Sequence, residues 1–160
     1  MDRINQILQH PLFQQYMEAN AVKEKGRIFC RHNMAHCLDV ARIAYILNIE
    51  EEYQLPMDMI YGAALLHDIG RHVQYETGEK HAYVSARLAP QILHDCGYSE
   101  EECEGIAEAI YEHSDKSRIG KRSLKGLLAR ADQMSRACYA CQAAEECKWS
   151  EERKNNKIEW

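Results

Sequence analysis

Apolar residues recur every three to four positions along most of the chain, which is the spacing of one face of an α-helix. This pattern predicts helices over about residues 3–22 with a break at Pro11, 34–52, 56–69, 79–96, 99–114 and 121–144. Strand-like alternation bounded by turn residues is not convincing anywhere in the chain. We therefore expect an all-α protein, a compact bundle of about six helices.

Residues that start and stop helices agree with these limits. Pro56 suits a first helical turn, whereas Gly70 and Gly97 suit positions just after a helix end. Ser99 followed by Glu102 has the spacing of a capping box, in which each residue satisfies the backbone of the other. The turn chemistry therefore supports separate helices rather than one long helical rod.

Length and composition indicate one domain. A chain of 160 residues with 46% hydrophobic content can bury a proper core. We expect a single helical domain over residues 1–148 and a polar, charged C-terminal tail over 149–160. No apolar run approaches the roughly 20 residues that span a bilayer, and the N-terminus lacks an apolar signal segment. We therefore expect a cytoplasmic protein without a membrane partner; the sequence leaves its oligomeric state open.

Charge also limits the partners. The formal net charge is -5, and no basic stripe that could track a phosphate backbone is evident. We expect no bulk binding of nucleic acid, so any recognition of phosphate must be local.

Several polar side chains lie on apolar helix faces. His36, for example, shares a face with Val40, Ile43 and Leu47. The residues that point inward in this way are His36, His67, Asp68, His81, His113 and Asp132. One such histidine alone is most simply a satisfied core residue, but burying the whole set without partners would cost several kcal/mol per group. A bound metal would satisfy all of them, so we expect a metal centre.

The order of these residues, with the segments "ALLHDIGR" and "HCLDVARIA", resembles the HD-domain superfamily of metal-dependent phosphohydrolases. The resemblance covers about residues 30–136, which it implies are the metal core of an HD-type helical domain. His81 in "HAYVSARLA" and His113 in "AIYEHS" are similar to the extra histidines of the six-ligand, two-metal branch. That branch includes symmetrical dinucleoside tetraphosphatases and HD-GYP cyclic-dinucleotide phosphodiesterases. The GYP motif is absent here, which disfavours the cyclic-dinucleotide activity.

The ligand set predicts two divalent ions. Four histidines give one bond each, a bridging Asp68 gives two and Asp132 gives one, against roughly twelve bonds for two six-coordinate ions. Positions therefore stay open for water and substrate, and two divalent cations beside two carboxylates leave about +2, which suits a phosphate. Imidazole and carboxylate ligands favour iron, manganese or cobalt; zinc is compatible, and calcium is disfavoured.

The resemblance implies hydrolysis of a phosphoester or phosphoanhydride, with a nucleotide or dinucleotide as the expected small substrate. A hydroxide bridging the two ions would attack the phosphorus, and His67 and Asp68 would be catalytic because they hold the ions. Two alternatives stay open: an HD-type di-iron oxygenase, and a non-catalytic regulatory metal-binding module. The sequence does not name the substrate.

Cationic residues near the predicted ligands are weaker candidates. Arg71, Lys116 and Arg118 could clamp a substrate phosphate beyond the metals, or could be ordinary solvated charges. His32 lies four residues before His36, and we expect it to support the metal centre from behind rather than to bind the ions.

Seven cysteines, an odd number without an export signal, favour reduced thiols or metal ligands over disulfides. Cys138 and Cys141 form a C-x2-C pair, Cys147 follows, and Cys30 precedes the predicted metal helix. These four could hold a separate zinc ion or iron–sulfur cluster. The alternative is that Cys138 and Cys141 are small buried apolar residues on one face of the predicted helix 121–144. We expect the remaining three to be core fillers or surface thiols: Cys37, Cys96 and Cys103.

Overall fold

A computed structural model describes residues 2–159 of the chain. Met1 and Trp160, the two ends of the predicted domain and tail, lie outside the described residues. The described part contains α-helices, short 3-10 helices and turns, and no strand, so the all-α prediction is confirmed. The α-helices are α1 (Asp2–Gln9), α2 (Pro11–Lys23), α3 (Met34–Glu50), α4 (Met57–Leu66), α5 (Arg71–Thr77), α6 (His81–Asp95), α7 (Glu100–Glu112) and α8 (Leu124–Met134).

The predicted break at Pro11 separates α1 from α2. The side chain of His10 accepts a hydrogen bond from the Leu12 N–H, and proline fits the first helical position because its missing N–H needs no partner there. The predicted capping box is present, with Ser99 and Glu102 bonded to each other's backbone. Helix α5 was not predicted because none of its residues is buried, so it leaves no periodic apolar signal.

Gly70 has a different role from the one predicted. It precedes α5 with a φ of -87° instead of ending α4 in the left-handed conformation. A Cβ atom at this position would lie 2.6 Å from the Cβ of Val84 on α6, and the Gly70 N–H donates a hydrogen bond to Ser85 Oγ. Glycine therefore allows the turn after α4 to approach the beginning of α6.

The last helix is shorter than predicted. Helix α8 ends at Met134, so the prediction of helix over residues 135–144 is wrong. The side-chain amide of Asn155 donates hydrogen bonds to the carbonyls of Gln133, Met134 and Arg136, at 2.7, 3.2 and 2.9 Å. Part of the predicted polar tail thus returns to cover the end of α8, a long-range contact that local periodicity does not encode.

Helix α4 lies at the centre of the fold, in contact with α1, α3, α6, α7 and α8. Almost its whole surface is apolar and buried, from Ile60 to Leu66, as expected for a helix surrounded on all sides. Helix α6 packs on α7, and α3 packs on α8. None of the described helices combines the length and the apolar character that crossing a membrane requires. The turn that follows α4 therefore begins deep inside the bundle.

Candidate metal centre

Five helix ends meet at this turn. His36 lies in the first turn of α3 and His81 is the first residue of α6. His67 and His113 directly follow the last residues of α4 and α7, and Asp132 lies in the last turn of α8. Backbone carbonyls at the C-terminal ends of α4, α7 and α8 favour a cation there. The structure therefore brings the predicted metal-ligating side chains together from five elements.

A first group of potential ligand atoms consists of one atom from each of His36, His67, Asp68 and Asp132, all within 4.8 Å of one another. His36 Nε2 lies 3.2 Å from His67 Nε2 and 3.3 Å from Asp132 Oδ1. Asp68 Oδ2 lies 3.1 Å from His67 Nε2 and 3.5 Å from His36 Nε2. These separations are short enough for all four atoms to contact one ion.

A second group consists of Asp68, His81 and His113. The two histidine Nε2 atoms lie 3.1 Å apart, and Asp68 Oδ1 lies 3.3 Å from His81 Nε2 and 3.9 Å from His113 Nε2. Asp68 therefore belongs to both groups and faces each with a different oxygen. This is the arrangement that a carboxylate bridging two ions requires.

Each of the four imidazoles is hydrogen-bonded through Nδ1, on the side of the ring that faces away from the other ligand atoms. A backbone carbonyl accepts from Nδ1 of both His67 and His113, so Nδ1 carries a proton in each ring and Nε2 is the nitrogen that would bind a metal in place of a second proton. The Nδ1 partners are Ala64 O for His67 at 2.7 Å, Ile110 O for His113 at 2.5 Å, Gln74 Oε1 for His81 at 2.9 Å and Ser135 Oγ for His36 at 3.2 Å.

The hydrogen bonding of one atom in this cluster indicates whether the residues fit a metal. Asp68 Oδ2 is buried and has no hydrogen-bond partner among the described residues. A buried carboxylate oxygen without a partner is costly, so native structures rarely contain one. A divalent ion within the first group would satisfy it, and imidazole and carboxylate donors are suitable ligands for such an ion. The residues therefore fit a bound metal.

The charges of the cluster also favour a cation. Burial opposes ionisation of Asp68, but Arg71 and His67 hold its pKa well below the usual range. Burial opposes protonation of His67 as well, yet Asp68 and Asp132 raise its pKa to about 10. Burial instead lowers the pKa of His81 to about 3 and that of His113 to about 4. The carboxylates thus attract positive charge, while His81 and His113 stay neutral and able to ligate.

His32 supports the centre from behind. Its Nδ1 is hydrogen-bonded to Glu24 Oε1, and its Nε2 lies 3.9 Å from Asp68 Oδ2. The carboxylate of buried Glu24 also accepts from the His32 N–H and from the Tyr75 hydroxyl. The sequence reasoning missed Glu24 because its partners lie on other elements.

Arg136 was also missed. Its Nη2 donates to Asp132 Oδ1 at 3.0 Å and lies 3.1 Å from His36 Nε2, and the side chain is buried. A position four residues after Asp132 would share its face on a continuing helix, so this spacing was the available signal.

A cavity of about 470 Å³, called the site cavity below, opens beside the centre and is lined by His81, His113 and Asp132. Its cationic lining residues are Arg27, Arg71, Lys116, Arg136, Lys148, Arg153 and Lys154, whereas Asp132 is its one acidic residue in the described chain. Although the whole chain has a net charge of -5, this cavity is strongly positive. It therefore suits an anionic ligand.

The three cationic candidates from the sequence differ in position. Arg71 lines the site cavity and its Nε donates to Asp68 Oδ1 at 2.9 Å. Lys116 lines the cavity as well. Arg118 does not line it, because its Nε is paired with Glu112 at 2.6 Å and lies 3.4 Å from Asp115. The structure therefore does not bring Arg118 to the ligands.

The four cysteines that could form a separate site also line the site cavity: Cys30, Cys138, Cys141 and Cys147. All are free and partly exposed, and residues 138–147 are not in an α-helix. The alternative of two apolar residues buried on one helical face is therefore wrong. Cys37, Cys96 and Cys103 are buried in the hydrophobic core.

Comparison with known proteins agrees with this geometry. Residues 33–143 match the family described as HD domain. The chain belongs to the HD-domain family. This HD-domain chain is 44% identical over 158 residues to an uncharacterized protein of Clostridium beijerinckii, and the match covers 99% of each chain.

Two further matches are more distant. "Putative phosphohydrolase YueE" of Bacillus subtilis is 28% identical over 142 residues, which cover 80% of this chain and 73% of YueE. A crystal structure of a "predicted HD superfamily hydrolase" from an uncultured Thermotogales bacterium superposes with a TM-score of 0.64 at 24% identity. That match covers 89% of this chain and 78% of the other. The family is thus the HD domain, the fold is shared with the Thermotogales protein, and the buried His/Asp cluster fits a divalent metal.

Proposed function

We propose that this HD-domain protein is a phosphohydrolase that uses two divalent ions to cleave a phosphoester or phosphoanhydride of a nucleotide or dinucleotide. One observation carries the proposal: Asp68 faces two groups of ligand atoms with opposite oxygens, beside a cavity lined by cations. The similarity to YueE supports the phosphohydrolase reaction. The cytoplasmic location rests on the sequence alone.

The six residues would divide between the ions. His36, His67, Asp68 and Asp132 would hold one, and Asp68, His81 and His113 would hold the other. When bound, the ions supply Lewis acidity and lower the pKa of a coordinated water. Iron, manganese or cobalt suits these donors, and zinc is compatible. The Nδ1 hydrogen bonds of the four histidines fix the ring orientations before metal binds.

The site cavity would hold the substrate. Its volume of about 470 Å³ lies within the range of small-molecule sites, roughly 300–1,000 Å³. Lys116 and Arg71 lie where they could bind phosphate oxygens beside His81 and His113. Phe29 and Trp149 line the same cavity and offer apolar ring surface to a nucleobase. A phosphorylated ligand that also carries a base fits this combination.

The test begins with protein stripped of metal and reloaded separately with manganese, iron, cobalt or zinc. Phosphate release is then measured over nucleotides, dinucleoside polyphosphates and phosphodiesters. We expect metal-dependent release that Asp68→Ala removes, whereas Asp39→Asn, an exposed aspartate on α3, behaves as wild type. Release that survives Asp68→Ala at near the wild-type rate would contradict the proposal. Oxygen uptake without phosphate release would indicate the oxygenase, and metal binding without turnover would indicate the regulatory module.

A further inference from the structure

The seven cysteines divide into two groups in the structure. Cys37, Cys96 and Cys103 are buried in the hydrophobic core, where a thiol behaves as a small apolar side chain. The other four are partly exposed and line the site cavity: Cys30, Cys138, Cys141 and Cys147. Cys30 lies more than 100 residues before the others, so the fold itself gathers the four thiols around one space.

We infer that Cys30, Cys138, Cys141 and Cys147 form a second metal site, which takes a thiolate-preferring centre: a zinc ion or an iron–sulfur cluster. Four cysteines are a complete ligand set for either centre. This donor set is sulfur, whereas the first centre offers nitrogen and oxygen, so the second site has the stronger preference for metals that bind thiolate. The inference goes beyond the proposed hydrolysis and does not depend on it.

The backbone at the C-x2-C pair has the tight geometry that such a site needs. Cys138–Ala140 is a 3-10 helix, and the Cys141 N–H donates to Cys138 O at 3.2 Å, which turns the chain between the two thiols. Among the described residues, no three of the sulfurs lie within 4.8 Å of one another. Metal binding would therefore draw the segment 138–147 inward toward Cys30.

The segment after α8 has little apolar burial to stabilise it. From residue 135 onward, the described part of the chain contains one buried apolar residue, Ala143. The other links are polar, such as the Asn155 cap on α8 and the bond from Lys154 Nζ to Ala144 O. Small segments without a hydrophobic core commonly obtain their stability from a structural metal. A bound metal would add stabilising links that this segment otherwise lacks.

The surroundings suit thiolates. Arg27 Nε donates to Cys30 O at 2.8 Å, and Arg136 and Lys154 also line the cavity. Four thiolates around one divalent ion carry a net charge of about -2, which these cations offset. Burial raises the pKa of the Cys30 thiol, Arg136 opposes that rise, and the nearby Cys138 and Cys141 add to it. Cationic side chains therefore surround the space in which the thiols lie.

Thiol reactivity tests the site without any enzyme assay. In reduced, chelator-treated full-length protein, we expect a thiol reagent to modify the four cavity cysteines and to reach the three core cysteines only after denaturation. Addition of zinc in excess over both centres should protect all four. If the four thiols stay fully reactive with zinc present, they do not form a zinc site. The second arm below tests whether they hold an iron–sulfur cluster.

The second arm measures bound metal in protein purified with and without oxygen. We expect Cys138→Ser/Cys141→Ser to lose about one zinc equivalent, or, for a cluster, the visible absorption and acid-labile sulfide. Cys103→Ala, a core cysteine, should lose neither. Cys30→Ser, in a different segment, repeats the measurement if the double variant does not fold. Asp68→Asn should keep the thiolate-bound metal, so failure of the proposed hydrolase is distinguishable. Unchanged zinc, iron and sulfide in the cysteine variants would overturn the inference.

Discussion

At the scale of single residues, Asp68 is the group on which the proposed chemistry depends most. One oxygen faces His36, His67 and Asp132, and the other faces His81 and His113. Asp68→Asn keeps the size of the side chain but removes its charge and one of the two metal-binding oxygens. We expect phosphate release to fall about a thousandfold or more.

The matched control for this change is Asp39→Asn, which alters an exposed carboxylate on α3. Its rate should stay within about twofold of wild type, as for most surface substitutions. Circular dichroism and metal content of both variants separate loss of the centre from loss of the fold. Equal rates for the two variants would show that Asp68 is not part of the catalytic centre.

Lys116 and Arg118 allow a comparison within one short 3-10 helix, Lys116–Arg118. Lys116 lines the site cavity, whereas Arg118 is paired with Glu112. Lys116→Ala should raise KM about tenfold or more, because a charge-assisted hydrogen bond to phosphate contributes roughly 1.5–3 kcal/mol. Arg118→Ala should leave KM unchanged. Steady-state kinetics that show the opposite order would place the phosphate elsewhere.

The lowered pKa of Glu24 predicts how the stability of the fold depends on pH. Burial disfavours its ionised form, but hydrogen bonds from His32 and Tyr75 lower its pKa to about 2, from an ordinary 4.5. Because the folded-state pKa is the lower one, Glu24 stabilises the fold above pH 4.5, and this contribution is lost as the pH falls toward 2. Glu24→Gln should therefore cost about 1–3 kcal/mol at pH 6 and less at pH 3.

Urea unfolding of chelator-treated protein at the two pH values measures this difference. Glu18→Gln, an exposed glutamate on the same helix, is the control and should change the free energy of unfolding little at either pH. If the difference in the free energy of unfolding between wild type and Glu24→Gln were larger at pH 3 than at pH 6, the lowered pKa of Glu24 would be refuted.

At the scale of elements, the sequence predicts helices well where one face is buried and poorly where it is not. Helix α4 is apolar and almost wholly buried from Ile60 to Leu66 and was expected, whereas α5 buries no residue and was missed. Residues 135–144 keep a helical composition, yet Asn155 ends α8 at Met134 from outside the helix. That contact depends on the tertiary fold, so no local pattern encodes it.

Asn155 therefore gives a prediction at this scale. Asn155→Ala removes three hydrogen bonds to the carbonyls at the end of α8, and we expect it to lower the free energy of unfolding by about 1–3 kcal/mol. Asn156→Ala is the neighbouring control, since among residues 2–159 its side-chain amide donates only to the exposed Glu151, at 3.3 Å. Equal stability of the two variants in urea unfolding would show that the cap contributes nothing.

At the scale of the whole molecule, the inward-facing polar residues could be found from the sequence because helical spacing places them on buried stripes. Their division into two groups around Asp68 needed the structure, because it depends on which carboxylate oxygen faces which helix end. Arg136 and the cysteines Cys138 and Cys141 reach the site cavity only because the chain leaves the helix after Met134. Sequence periodicity instead continued that helix, on which Cys138 and Cys141 could be small apolar residues buried on one face.

The central claim is that one buried carboxylate joins two metal ions at the meeting point of five helix ends. The most direct measurement is anomalous diffraction from crystals of manganese- or iron-loaded protein, with data on both sides of the metal absorption edge. We predict two peaks that share Asp68, one beside His36, His67 and Asp132 and the other beside His81 and His113. A single peak, or peaks that do not contact Asp68, would contradict the account.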